Sequence, residues 1–138
     1  MIVSLAYEEI ASVREGAELA LEPAPTGGAV AAPPEELAYA ETLRSTEGEI
    51  SLTTLAEQRA AQRALELILA AARERMDALV LAQNVGSDDS VNAYFDYAHV
   101  LTVLDRVRGA GRNMSAIIEL LTGRPPTPAS AADITFPD

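Results

Sequence analysis

The run TLAEQRAAQRALELILAAARERMDALVLAQN, residues 54 to 84, contains neither glycine nor proline and constrains the fold more than any other stretch. Ala61, Leu65, Ile68, Ala72, Met76 and Leu79 recur at steps of three and four, which places them on one side of an α-helix. Arg59, Arg63, Glu66, Arg73 and Asp77 take the opposite side. Thr54 with Glu57 three residues on matches a capping box, in which each side chain satisfies an orphan amide of the first turn. The pattern predicts a helix over 52–84, roughly 50 Å long. A segment of this kind is where the rest of the chain must pack.

The next residues along the chain predict a partner for this helix. NVGSDD supplies a turn, with Gly86 available for a left-handed helix end and Ser87 or Asp88 for capping the next helix. Beyond it Val100, Val103, Val107, Ala110, Met114, Ile117 and Leu121 keep heptad spacing straight through RGAGRN. Gly109 and Gly111 each cost about 1 kcal/mol inside a helix, so 109–111 is where a bend or break would fall. The periodicity still predicts one helix over 88–122, and the two together make a long antiparallel helical hairpin.

Composition supports an all-α class. Alanine occurs 26 times, aromatics make up 4%, and there is no Trp, a core suited to close helix packing rather than to sheets. Ile2, Ala6, Ile10, Val13, Ala17 and Leu21 predict a short amphipathic helix within 1–21, beginning near residue 4. EPAPTGGAVAAPP has no periodicity and reads as a Pro/Gly/Ala linker over 22–33. Pro34 then opens a second short helix, about 34–46, with Glu35 and Glu36 favourably placed at its positive end. A hairpin domain over 34–123 and a Pro-rich, disordered tail over 124–138 complete the expected organisation.

The charge excludes several partners. Net charge is −11, and residues 1–50 carry ten Glu against Arg14 and Arg44, whereas residues 51–87 are balanced. Such a surface repels phosphate backbones and anionic lipid but accepts a basic protein, so neither nucleic-acid nor membrane binding is expected. MIVSLAYEEIASVREG lacks a basic leader region and reaches Glu8 and Glu9 early, which reads as a cytoplasmic chain. Without Cys there is no disulfide and no thiolate metal site.

SDDSVNAYFDYAHVL, residues 87–101, holds the only histidine and two of the four tyrosines. On a helix Asn92, Asp96 and His99 form a polar stripe, with Val91, Tyr94, Ala98 and Leu101 on the other side. That stripe points the same way as the Val103, Val107, Ala110 seam, so the buried face is expected to switch near residue 100. Val100, Val103, Val107, Ala110, Met114, Ile117 and Leu121 are accordingly the candidate interface, toward the amino-terminal helices or a second subunit.

Asp96 could orient the His99 imidazole, but no nucleophile or anion-stabilising group accompanies the pair. Glu-x-x-His is absent, as bundle metal sites would require, and GAGR follows a helix where a phosphate loop needs a strand. No catalytic, cofactor or metal residue is therefore assigned. The expected function is a non-enzymatic assembly or protein-binding component, a homo-oligomer or the partner of another protein. The architecture is of the kind found in secretion machines, phage particles, and chaperones or adaptors. The alternative is a small helical enzyme with an anion site lined by Arg59, Arg63, Arg73 and Arg75.

Overall fold

A computed structural model describes residues 1–22, 33–83 and 85–123. The linker expected over 22–33, apart from its two end residues, and the tail expected over 124–138 lie outside them. The fold is all-α: α1 (Tyr7–Leu21), α2 (Pro34–Leu43), α3 (Leu55–Leu81) and α4 (Asp88–Thr122) are joined by a two-stranded antiparallel ribbon of β1 (Ile2–Ser4) and β2 (Glu49–Ser51). α3 and α4 form the antiparallel hairpin. α1 packs across α3 and touches α4, and α2 lies on α3 and α1.

The ribbon is the element that periodicity missed. Val3 pairs with Ile50, both buried, while Ile2 and Ser51 flank them. Leu52 N–H donates to Met1 O at 2.7 Å and Leu5 N–H to Gly48 O at 2.8 Å, extending the pairing at both ends. At three residues each, the strands are shorter than any window in which alternation can be told from a helix start. Their effect is that α1 begins at Tyr7 rather than near residue 4, and α2 ends at Leu43 rather than near 46. The Tyr39 hydroxyl of α2 donates to Ser51 O and pins α2 to the ribbon. Burial and the nearby Glu57 carboxylate push that phenol up to about 12.

The capping box of α3 forms as its residues predict: Glu57 N–H donates to Thr54 Oγ1 at 3.2 Å and Thr54 N–H to Glu57 Oε1 at 3.1 Å. At the far end the turn differs from expectation. Gly86 does not take a positive φ; Gln83 does, at 56°, two residues after the helix ends. α3 thus stops at Leu81, short of residue 84. Ser87 caps α4 by accepting from Ser90 N–H at 3.1 Å, and Gly123 closes it with φ 72° and a bond from its N–H to Glu119 O at 2.8 Å.

One core runs the length of the covered hairpin. Val3, Val13, Ala17, Leu43, Ile50, Leu52, Ala61, Leu65, Ile68, Val100, Val103, Leu104, Val107, Ala110 and Met114 belong to a single apolar cluster. The predicted face of α3 is buried from Ala61 to Ala72, with Met76 and Leu79 half-buried beyond it. Because α3 is covered on more than one side, Gln58, Ala60, Gln62 and Ala64 are buried as well.

α1 approaches α3 at Gly16, where a Cβ would lie 2.3 Å from the backbone oxygen of Ala64. Only glycine permits this crossing, since the obstacle is main chain and cannot turn aside. α4 is unbroken from Asp88 to Thr122, so Gly109 and Gly111 do not interrupt the one helix that the periodicity predicted. Gly111 has a packing reason instead: a Cβ there would meet the Gln58 side chain at 2.6 Å.

Candidate functional site

The hairpin is asymmetric in length, and this decides which surfaces are left. At about 1.5 Å per residue α4 is roughly 52 Å long and α3 roughly 40 Å. Gln58, near the start of α3, donates to Val107 O at 3.0 Å and packs on Gly111. α3 therefore begins opposite the stretch near Met114, and the last two turns of α4 extend past it. On that overhang Ile117, Leu120 and Leu121 are 51%, 84% and 78% exposed. Glu119 is the one charged residue between Asn113 and Gly123.

The turn end of the hairpin is similarly bare. No α3 residue after Ala72 is buried. Val80, Leu81, Val85, Val91, Tyr94 and Phe95 are exposed there, with Tyr94 and Phe95 in edge-to-face contact at 5.6 Å. An apolar surface at each end of the hairpin, separated by a covered middle, is the main surface feature of the fold.

The candidate interface residues divide between core and overhang. Val100, Val103, Val107, Ala110 and Met114 are between 0% and 9% exposed in the single chain. They pack against α3, α1 and the ribbon, which leaves Ile117 and Leu121 as the accessible part of that seam. The switch of face near residue 100 does not occur. The buried stripe of α4 passes through Ala93, half-buried Tyr97, Val100, Leu104, Val107, Gly111 and Met114. Ala93 is fully buried while Tyr94 is 56% exposed, so the small residue, not the aromatic, marks the packed face.

The polar stripe separates in the same way. Asn92 is exposed; Asp96 accepts from Arg75 Nη2 of α3 at 2.7 Å; His99 is half-buried, and its field reaches the Glu9 carboxylate of α1. Asp96 is thus paired with α3, and among the described residues no hydrogen bond or ion pair joins it to His99.

Two polar clusters inside the packing were not read from the sequence. Glu9, 6% exposed, accepts from Ala6 N–H at 2.7 Å and from Arg106 Nη2 at 2.7 Å, while Arg106 Nη1 donates to Ser4 O at 2.6 Å. One guanidinium of α4 therefore ties down both β1 and α1. Burial works to raise the Glu9 pKa, but the Ala6 amide, Arg106 and the field of His99 outweigh it and hold the carboxyl below 4.5.

The second cluster lies between the hairpin helices. Gln58 Nε2 also donates to Gln62 Oε1 at 2.9 Å, Gln62 to Glu66 at 3.4 Å, and Arg108 of α4 reaches the same carboxylate at 3.4 Å. The i, i+4 spacing of Gln58, Gln62 and Glu66 was the available signal.

The four arginines do not line one pocket. Arg59 and Arg75 are 16 residues apart, about 24 Å along the helix axis. Arg63 pairs with the buried Glu36 at 3.4 Å, Arg73 with Asp77 at 3.5 Å and Arg75 with Asp96 at 2.7 Å; Arg59 is engaged as well. The 470 Å³ hollow beside Arg75 is lined by Leu79, Asp89, Asn92 and Asp96, two carboxylates to one guanidinium. An anion would meet no net positive field there. Among the described residues no cluster of three His, Asp or Glu side chains could hold a metal ion, and no helix is long and apolar enough to cross a membrane.

An all-α helical hairpin braced by two short helices is the class this fold defines. No protein-family model matches the chain, and no curated protein or solved structure shows significant similarity to it.

Proposed function

We propose that this protein is a non-enzymatic assembly component that associates with copies of itself through the bare ends of its hairpin. The observation that carries this reading is the α4 overhang, where Ile117, Leu120 and Leu121 are exposed on a helix with a single nearby charge. Leaving three large aliphatic side chains in water forgoes roughly 1.5–3 kcal/mol each relative to full burial. The covered middle of the molecule has already used the apolar residues of α4 that internal packing can use. For a chain of net charge −11, copies repel except where apolar, nearly neutral surface meets its like. The α4 overhang meets that description, with Glu119 its one charge, and end-to-end contact suits an elongated subunit.

Multi-angle light scattering of the wild type and of the Ile117→Glu/Leu121→Glu variant tests the proposal. Both positions are exposed, so the variant is expected to keep its helicity and melting temperature. The expected result is a multimer at micromolar concentration for the wild type and a monomer for the variant. A monomeric wild type, or a folded variant of unchanged multimeric mass, overturns it.

A further inference from the structure

Besides the hairpin ends, the fold builds one groove on its acidic side. Tyr7, Ile10, Ala11, Arg14, Glu15 and Glu18 of α1 line a 590 Å³ depression, with Glu47 opposite them. The α1 residues sit at i, i+3, i+4, i+7, i+8 and i+11, a single stripe on the face turned away from buried Val13, Gly16 and Ala17. Arg14 Nε donates to Thr46 O at 2.6 Å, which holds the segment after α2 beside α1 and makes the second wall.

The lining is mixed, apolar and anionic. Tyr7, 86% exposed, Ile10 and Ala11 supply apolar surface, while Glu15, Glu18 and Glu47 supply negative charge. No ion pair among the described residues neutralises these three carboxylates; Arg14, whose Nε donates to a main-chain carbonyl, keeps its charge, so the lining is net negative rather than fully anionic.

We infer that this groove binds a basic amphipathic helix of a partner protein. The inference rests on the proposal that the protein works through protein contacts, and supplies the chemistry of a partner other than itself. A depression spanning three turns of α1, roughly 16 Å, matches the contact length of a short helix laid alongside it. Leucine-like side chains on one face of that helix meet Ile10, Ala11 and the Tyr7 ring. Arginine or lysine on its flanks meets Glu15, Glu18 and Glu47, and a guanidinium can lie over Tyr7. A second copy is a poor occupant, because residues 1–50 bring a charge of −8 from each side. Nucleic acid and anionic membrane are repelled by the same field.

The test uses two fluorescently labelled 18-residue peptides of identical Leu/Arg/Gln/Ala composition, one amphipathic as a helix and one scrambled to destroy the apolar face. Fluorescence anisotropy against the full chain at about 0.15 M salt is expected to give micromolar binding of the amphipathic peptide and at least about tenfold weaker binding of the scrambled one. Glu15→Gln/Glu18→Gln/Glu47→Gln and, separately, Tyr7→Ala should each weaken the amphipathic peptide by about tenfold with unchanged melting temperature, since every altered side chain is exposed. Equal binding of the two peptides, absence of binding, or indifference to both variants overturns the inference. The same titration on Ile117→Glu/Leu121→Glu separates the two ideas, because the groove should bind whether or not the hairpin ends assemble.

Discussion

Glycines 16, 109 and 111 occupy three environments that a helix-propensity scale would treat alike. At Gly109 the nearest atom a Cβ would meet is Arg112 Nη2 at 3.8 Å, so Gly109→Ala should stabilise the protein by about 0.5–1 kcal/mol through propensity alone. At Gly111 a methyl displaces buried Gln58 from Val107 O, and Gly111→Ala should cost about 1–2 kcal/mol. At Gly16 the obstacle is the Ala64 backbone, and Gly16→Ala should cost about 3 kcal/mol by forcing α1 away from α3. Urea melts of the three variants should show that order.

The Glu9 clamp yields a second comparison. Arg106→Ala leaves a buried carboxylate with fewer partners and should cost about 2 kcal/mol, more than Glu9→Gln, because the freed Arg106 can turn to water. The Glu9 carboxyl is held below its ordinary 4.5, so the folded state resists its protonation. Its contribution is complete above that value and is lost as pH falls through the lower folded-state value. Chemical denaturation below pH 4.5 should accordingly fall less steeply with pH for Glu9→Gln than for the wild type.

At the scale of elements, the hairpin turn holds the clearest correctable strain. Gln83 occupies the left-handed region at φ 56°, which costs a side-chain-bearing residue about 1 kcal/mol relative to glycine. Gln83→Gly should therefore raise the melting temperature, whereas Gly86→Ala, with no Cβ neighbour within 4 Å and no positive φ, should change it little. The reverse pattern would restore the turn expected from NVGSDD.

This turn also marks the limit of what a sequence pattern encodes. α3 and α4 were legible because caps and long stripes of Leu, Ile and Val repeat the same signal over many turns. The choice between Gln83 and Gly86 was not, since it depends on where α3 meets its last covering contact. The packed face before residue 100 was misread because the Tyr94 ring offers more apolar area than Ala93, although alanine is what close helix packing selects. The ribbon was too short to show a period. The Glu9–Arg106 clamp joins residues 97 apart, a pairing no local pattern encodes.

At the scale of the whole molecule, the proposal divides one helix between two tasks: α4 from Ala93 to Met114 belongs to the chain's own core, and α4 from Ile117 onward is the part proposed for assembly. Because the chain has no cysteine, single thiols can report both halves directly. The measurement is the rate of thiol alkylation in Val107→Cys, Leu121→Cys and Arg73→Cys as total protein concentration is raised from nanomolar to about 100 µM. The Val107→Cys thiol should react slowly at every concentration, since Val107 is fully buried within one chain, and the Arg73→Cys thiol rapidly at every concentration, since Arg73 is exposed. The Leu121→Cys thiol should react rapidly when dilute and slow by about tenfold or more as subunits associate over it. A Leu121→Cys thiol equally reactive at all concentrations, or a Val107→Cys thiol that becomes reactive on dilution, would contradict this division.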